Sequence, residues 1–132
     1  MEKSYVMIKP GYLEHKDEII KRIEEIGGKI VAEKTLNLDK EILREHYAHI
    51  VQFDFYPELE QYMTSGECYG MIVEGETGII AKIREIVGPT KNAPKGTIRG
   101  DYMKPGASTS QNVIHASDAV ETAEAEIKRF FG

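Results

Sequence analysis

Two kinds of residue in this chain can do chemistry near neutral pH: an imidazole at a strand end and a group of cations with few matching acids. The imidazole is His115, inside Asn112-Val113-Ile114-His115-Ala116-Ser117-Asp118. Neutral imidazole is available near pH 7 as a nucleophile or a general base. Either task needs a carboxylate on the second ring nitrogen to fix the tautomer. Glu126, about two turns into the next helix, is one candidate and Asp118 another. The plainer alternatives are a core-edge imidazole bonded to backbone, and a Glu126 that is just one acid of a solvated helix face.

The cations concentrate in the segment Thr90–Gln111, where Lys91, Lys95, Arg99 and Lys104 face the single acid Asp101. Pro94, Gly96, Gly100, Pro105 and Gly106 break this stretch, and loops of that length in a small domain tend to be functional. Such a segment is either an anion site or a solvated surface. Arg84, on a helix, borders the apolar stripe, from where a guanidinium fork can enter a cleft and grip phosphate bidentately. The alternative is a stem lying over the core with its head in water. Lys9 ends a strand just before Pro10-Gly11, a common place for a plain solvent contact. His46 and His49 lie three apart on a helix with no partner ligands nearby, and His15 sits in a polar stretch. No Cys/His or HExxH metal motif, GxxxxGK[ST] loop or GxGxxG occurs.

The elements that must position these residues follow from periodicity. Ser4–Lys9, Lys29–Leu38, Tyr69–Glu74 and Asn112–Ala116 have strand composition, and Thr97–Arg99 reads as extended. Helical stripes predict helices over His15–Ile26, with Ile19, Ile20, Ile23 and Ile26, and over Gly78–Val87, with Ile79, Ile80, Ile83, Ile86 and Val87. Lys40–Ala48, capped by Asn37 or Asp39, and Pro57–Thr64, with proline in its first turn, are shorter helices. Asp118 with Glu121 reads as a capping box for a last helix carrying Val120, Ala123, Ile127 and Phe130 on one face. Two helices returning between strands fit an α+β, ferredoxin-like βαββαβ sheet with helices on one face plus extra short helices.

The 132 residues are expected to form a single domain, residues 1–132, with no repeat or linker. The net charge of −5 weighs against stable nucleic-acid or membrane binding, so any anion must be met by a few converging cations. The lone Cys68 rules out an internal disulfide framework and any cysteine-based metal cage. Met1 to Tyr5 runs straight into a strand, which together with the single cysteine leads to a cytoplasmic expectation.

Asn112-Val113-Ile114-His115-Ala116-Ser117-Asp118 closely resembles the Asn-x-x-His-Gly/Ala-Ser-Asp signature of the nucleoside diphosphate kinase family. Lys9-Pro10, His46-Tyr47, Phe55-Tyr56-Pro57-Glu58-Leu59, Thr64-Ser65-Gly66, Arg84 with Thr90, and Gly96-Thr97-Ile98-Arg99-Gly100-Asp101 resemble the family in the same order. The resemblance implies a ferredoxin-like core and an enzyme that passes the γ-phosphate of a nucleoside triphosphate, mainly ATP, to a nucleoside diphosphate. It implies ping-pong transfer through a phosphohistidine on His115, with Glu126 orienting the ring and Ser117 bonded to Glu126. By the same resemblance Arg84, Arg99, Lys9 and Thr90 hold phosphate oxygens. Lys9 and Asn112 also reach the sugar, Tyr47 sits beside His115 and Lys9, and Phe55 stacks on the base. Mg²⁺ is implied as the cofactor, held mainly by the nucleotide phosphates rather than by protein ligands. The implied assembly is a homo-oligomer, a hexamer or a tetramer built from dimers. The rival reading is a non-catalytic nucleotide-binding or scaffold protein of the same fold. The chain departs from the family around Lys9-Pro10-Gly11, between Thr90 and Arg99, and in an insertion within Met103–Ser110.

Overall fold

The structure is a computed structural model describing residues 1–132. Its centre is β1 (Glu2–Ile8), buried without a break from Ser4 to Ile8. Such continuous burial means that both faces of the strand are covered. Successive side chains of β1 point to opposite faces and so belong to two separate cores. Val6 and Ile8 pack with Ile19 and Ile23 of α1 (Lys16–Glu25) and with Ile79, Ile83 and Val87 of α4 (Ile79–Val87). Tyr5 and Met7 pack on the other side with Leu43 of α2 (Lys40–His46), Leu59 and Met63 of α3 (Tyr56–Met63), and Phe130 of α6 (Val120–Phe131).

The sheet has the order β2-β3-β1-β4, with β2 at Lys29–Leu36, β3 at Cys68–Gly75 and β4 at Ile114–Ala116. Every pairing is antiparallel, and His115 stands opposite Met7. This is the expected βαββαβ core with α1 and α4 on one face; the extra helices and α6 close the other. The α4 stripe is docked by a cap from a distant residue. Glu2 accepts from the backbone N–H of Gly78 at 3.1 Å and of Ile80 at 3.0 Å, satisfying donors that a helix start leaves free.

Three local expectations are corrected. Thr97–Arg99 is not extended: Thr97 caps a short helix, α5 (Ile98–Tyr102), its hydroxyl accepting from Gly100 N–H at 3.0 Å. The β-branched threonine favours the strand region required of an N-cap, and that region reads as strand in sequence. Asp118 is not a capping residue either, since Ala119 occupies the N-cap of α6 with no side-chain cap. Finally, Asn112 and Val113 precede β4 rather than belong to it, for a reason that concerns the site.

Candidate active site

Val113 has φ of +76°, a region where a β-branched residue crowds its own backbone. Ile114 N–H donates to the Asn112 carbonyl at 2.9 Å, closing a γ-turn around it. Such strain, of order 1–3 kcal/mol, persists only where packing enforces it. Here the Val113 side chain is fully buried, and its carbonyl accepts from Lys9 N–H at 2.9 Å. The turn reverses the chain immediately before β4 and brings His115, half-buried, to the wall of a cleft of about 240 Å³. Tyr47, Arg84, Thr90, Arg99, Asp118 and Glu126 also line that cleft.

Of the two candidate carboxylates, Glu126 is the one bonded to the ring. Its Oε2 lies 2.9 Å from His115 Nε2. Its Oε1 accepts from the Ser117 hydroxyl at 2.6 Å, and that hydroxyl accepts in turn from Tyr5 N–H at 2.9 Å. An ionised carboxylate only accepts, so Nε2 carries the ring proton and Nδ1 keeps its lone pair. Asp118, the other candidate, lines the cleft without contacting the ring nitrogens.

Of the cations singled out in the sequence, Arg84 and Arg99 line the cleft, whereas Lys91, Lys95 and Lys104 do not. Arg99, carried by α5, donates to the carbonyls of Asn112 at 3.1 Å, Gly88 at 2.9 Å and Ile114 at 2.8 Å. These bonds tie the γ-turn to the end of α4 and lock the guanidinium at the cleft. Burial, and then the nearby Arg84, lower its pKa to about 10, so it stays charged at neutral pH. Arg84 does not merely lie over the core: its guanidinium reaches the Ala116 carbonyl at 3.2 Å beside the nucleophile strand.

Lys9 is no solvent contact. It is 6% exposed, and its ammonium donates to Asn112 Oδ1 at 2.6 Å and to the Ser110 carbonyl at 3.4 Å. Burial first, and then Arg99, push its pKa down to about 7. The Tyr47 hydroxyl is held protonated, its pKa raised by burial above all. Phe55 stands apart from these groups. It is exposed just before α3, tilted against Phe53 with ring centroids 5.7 Å apart, and is not a wall of the cleft.

His46 and Arg129 gave little signal in sequence. The ring of His46 meets that of His115 edge-on, with centroids 4.9 Å apart. Arg129 of α6 lies 2.9 Å from His46 Nδ1 through Nη1. Burial most of all, then His115, Arg129, Lys9 and His49, push the His46 pKa down to about 2. The only clue in sequence was the His46-Tyr47 pair within the family resemblance. His46, His115 and Glu126 present ligand atoms within 4.8 Å of one another. With an arginine already on His46 and both Glu126 oxygens engaged, that group is built as a hydrogen-bond network rather than a cation cage.

The assembled group is an imidazole held by a carboxylate in a cleft that two arginines also line, suited to transfer of an anionic group. Comparison with known proteins agrees. The family model described as nucleoside diphosphate kinase matches residues 2–132. The chain is similar to the nucleoside diphosphate kinase of Listeria monocytogenes, 42% identical, covering 99% of this chain and 89% of the relative. It is equally similar to that of Acetivibrio thermocellus, 42% identical, covering 99% of this chain and 96% of the relative. Among solved structures, that of the Encephalitozoon cuniculi nucleoside diphosphate kinase superposes with a TM-score of 0.92 at 39% identity, over 100% of this chain and 90% of the other. That of the Aquifex aeolicus nucleoside diphosphate kinase gives 0.86 at 33% identity, over 99% and 95% of the two chains. A family match over residues 2–132 and a shared fold over the whole chain leave one assignment: the chain belongs to the nucleoside diphosphate kinase family of transferases.

Proposed function

We propose that this protein transfers the γ-phosphate of a nucleoside triphosphate, mainly ATP, to a nucleoside diphosphate in a ping-pong cycle through His115. Nδ1 of His115 attacks the γ-phosphorus, the bond from that phosphorus to the bridging oxygen breaks, and the nucleoside diphosphate leaves with that oxygen. A terminal phosphate oxygen of a second nucleoside diphosphate then attacks the phosphohistidine and returns Nδ1 to its starting state. The observation that carries this reading is the bond from Glu126 to Nε2, which leaves Nδ1 as the ring's free lone pair beside Arg84 and Arg99.

Phosphoryl transfer asks little covalent work beyond the nucleophile, so positioning and charge dominate. Glu126, steadied by Ser117, orients the ring and offsets the positive charge that develops on it during attack. Arg84, Arg99, Thr90 and Lys9 bind phosphate oxygens. Lys9 and Asn112 also bind the sugar hydroxyls, Tyr47 borders the reacting phosphate, and Phe55 offers an exposed face for the base. Stacking tolerates any base, which suits broad nucleotide use.

A divalent ion, Mg²⁺, fits this site through the nucleotide rather than through protein ligands. Arg84 and Arg99 line the cleft with His115, and Mg²⁺ keeps waters and substrate phosphates in its shell. When bound it neutralises phosphate charge. The proposed working form is a homo-oligomer, a hexamer or a tetramer of dimers, each subunit one domain spanning residues 1–132. A cytoplasmic setting accords with the free, buried Cys68.

The test is a single-turnover reaction with γ-labelled ATP and Mg²⁺ but no acceptor, on wild type and on His115→Ala. Acid-labile, base-stable label on wild type, chased off by added GDP and missing from the variant, is the expected result. Label retained by the variant would remove His115 as nucleophile. Nucleotide binding by wild type without any label would make the protein a binder.

A further inference from the structure

His46 packs against His115 and Arg129 bonds to His46, and the proposed transfer leaves both unused. His46 is held edge-on between the rings of His115 and Phe130 and beside Tyr47. Its Nδ1 lies 3.9 Å from Oε2 of Glu126, the same oxygen that holds His115 at 2.9 Å. Two imidazoles therefore stand as rivals for one acceptor. Arg129 Nη1 sits 2.9 Å from the contested Nδ1. A guanidinium only donates, so Nδ1 accepts and the His46 ring carries its proton on Nε2.

The remaining charged and titratable neighbours do not take over this task. Lys9 at the end of β1, His49 beyond α2 and His115 on β4 make no hydrogen bond to His46, and Glu45 faces the other side of Arg129, 3.4 Å from its Nε. The side chains of His46 and Glu126 are 2% and 5% exposed, so bulk water does not mediate the choice.

We infer that Arg129 is a positioning residue for the transfer reaction: by donating to Nδ1 of His46 it holds that ring as the Nε2–H tautomer and reserves Oε2 of Glu126 for His115. The kinetic consequence rests on the reading of His115 as nucleophile; the tautomer does not. Without Arg129, Nδ1 of His46 is free to carry a proton aimed at Glu126. The carboxylate is then shared between two rings, and His115 loses its fixed orientation.

Two measurements test this. The first is long-range proton–nitrogen correlation NMR on histidine-labelled protein near neutral pH, with His46 assigned through His46→Phe. Wild type is expected to show His46 protonated on Nε2 and bare on Nδ1, and Arg129→Met to gain a proton on Nδ1. A wild-type His46 protonated on Nδ1 would overturn the inference, whatever the variants do. The second is the rate of label transfer to the enzyme from γ-labelled ATP. Arg129→Met is expected to slow it roughly 10- to 100-fold, the effect of disturbing a charge-assisted hydrogen bond. Adding His46→Phe to that variant removes the rival and is expected to recover most of the rate. A double variant as slow as Arg129→Met, or slower, would sink the rivalry, because a merely structural arginine predicts that outcome. If wild type takes up no label, the reading of His115 falls, while the NMR result still decides whether Arg129 holds the tautomer.

Discussion

Lys9 shows at the residue scale how burial makes a charge conditional. An ammonium with a pKa of about 7 is mostly neutral one pH unit above that value. If nucleotide phosphates bind beside it as proposed, they favour the charged form, so binding should raise its pKa and draw in a proton. Calorimetry of nucleotide binding, one unit above pH 7 and in buffers of different ionisation enthalpy, should show uptake of up to one proton, absent in Lys9→Met. The same lysine bears on stability. Its pKa is lowered from 10.5 to about 7 in the folded chain, so between those values the unfolded chain holds more protons and stability rises with pH. The Lys9→Met variant should lose that part of the rise. Equal pH slopes for the two proteins, with equal proton uptake, would mean that Lys9 is not held as described.

Among the α-helices, α5 is the shortest and the one on which the site most depends. It carries Arg99, whose three carbonyl bonds join the γ-turn to the end of α4. Thr97 holds it from both sides, accepting from Gly100 N–H at 3.0 Å and donating to the Pro94 carbonyl at 2.7 Å. Gly100 is required in the same place, because a Cβ there would strike the Pro94 carbonyl. Losing a threonine N-cap costs about 1 kcal/mol. Thr97→Ala should therefore lower the melting temperature by about 3–5 °C, and nucleotide affinity should fall with it, because Arg99 is freed. An unchanged melting curve would show that the cap adds nothing. The same element also exposes where local pattern misleads. A β-branched residue in an N-cap has the dihedrals of a strand, so Thr97–Arg99 read as extended. By contrast, the isoleucine stripes of α1 and α4 survived intact, since a long apolar stripe has no other way to be buried.

At the scale of the whole molecule, the charge and the sheet edges matter most. In a chain of net charge −5, Arg84 and Arg99 line one cleft, and Lys9 stands close enough to Arg99 for the two charges to interact. The sheet ends in β2, an edge strand of eight residues on which Val31 is 43% exposed, and unpaired edges favour association. Light scattering after size exclusion should give a multiple of the 14.9 kDa chain mass, and a mass of one chain at working concentration would refute the proposed oligomer. Much of this protein was nevertheless legible in one dimension. Strand composition and helical stripes indicated the order of elements and their buried faces, because those periods are properties of the local backbone. The motif around His115, with its collinear companions, was enough to identify the family. Only the tertiary structure decided which polar groups meet. It chose Glu126 over Asp118, 11 residues from His115, and it buried Lys9 against Asn112, 103 residues away. It also set Arg129 on His46 across 83 residues. The physical reason is that those meetings depend on strand order, register and the strained turn at Val113, none of which leaves a local period in the sequence.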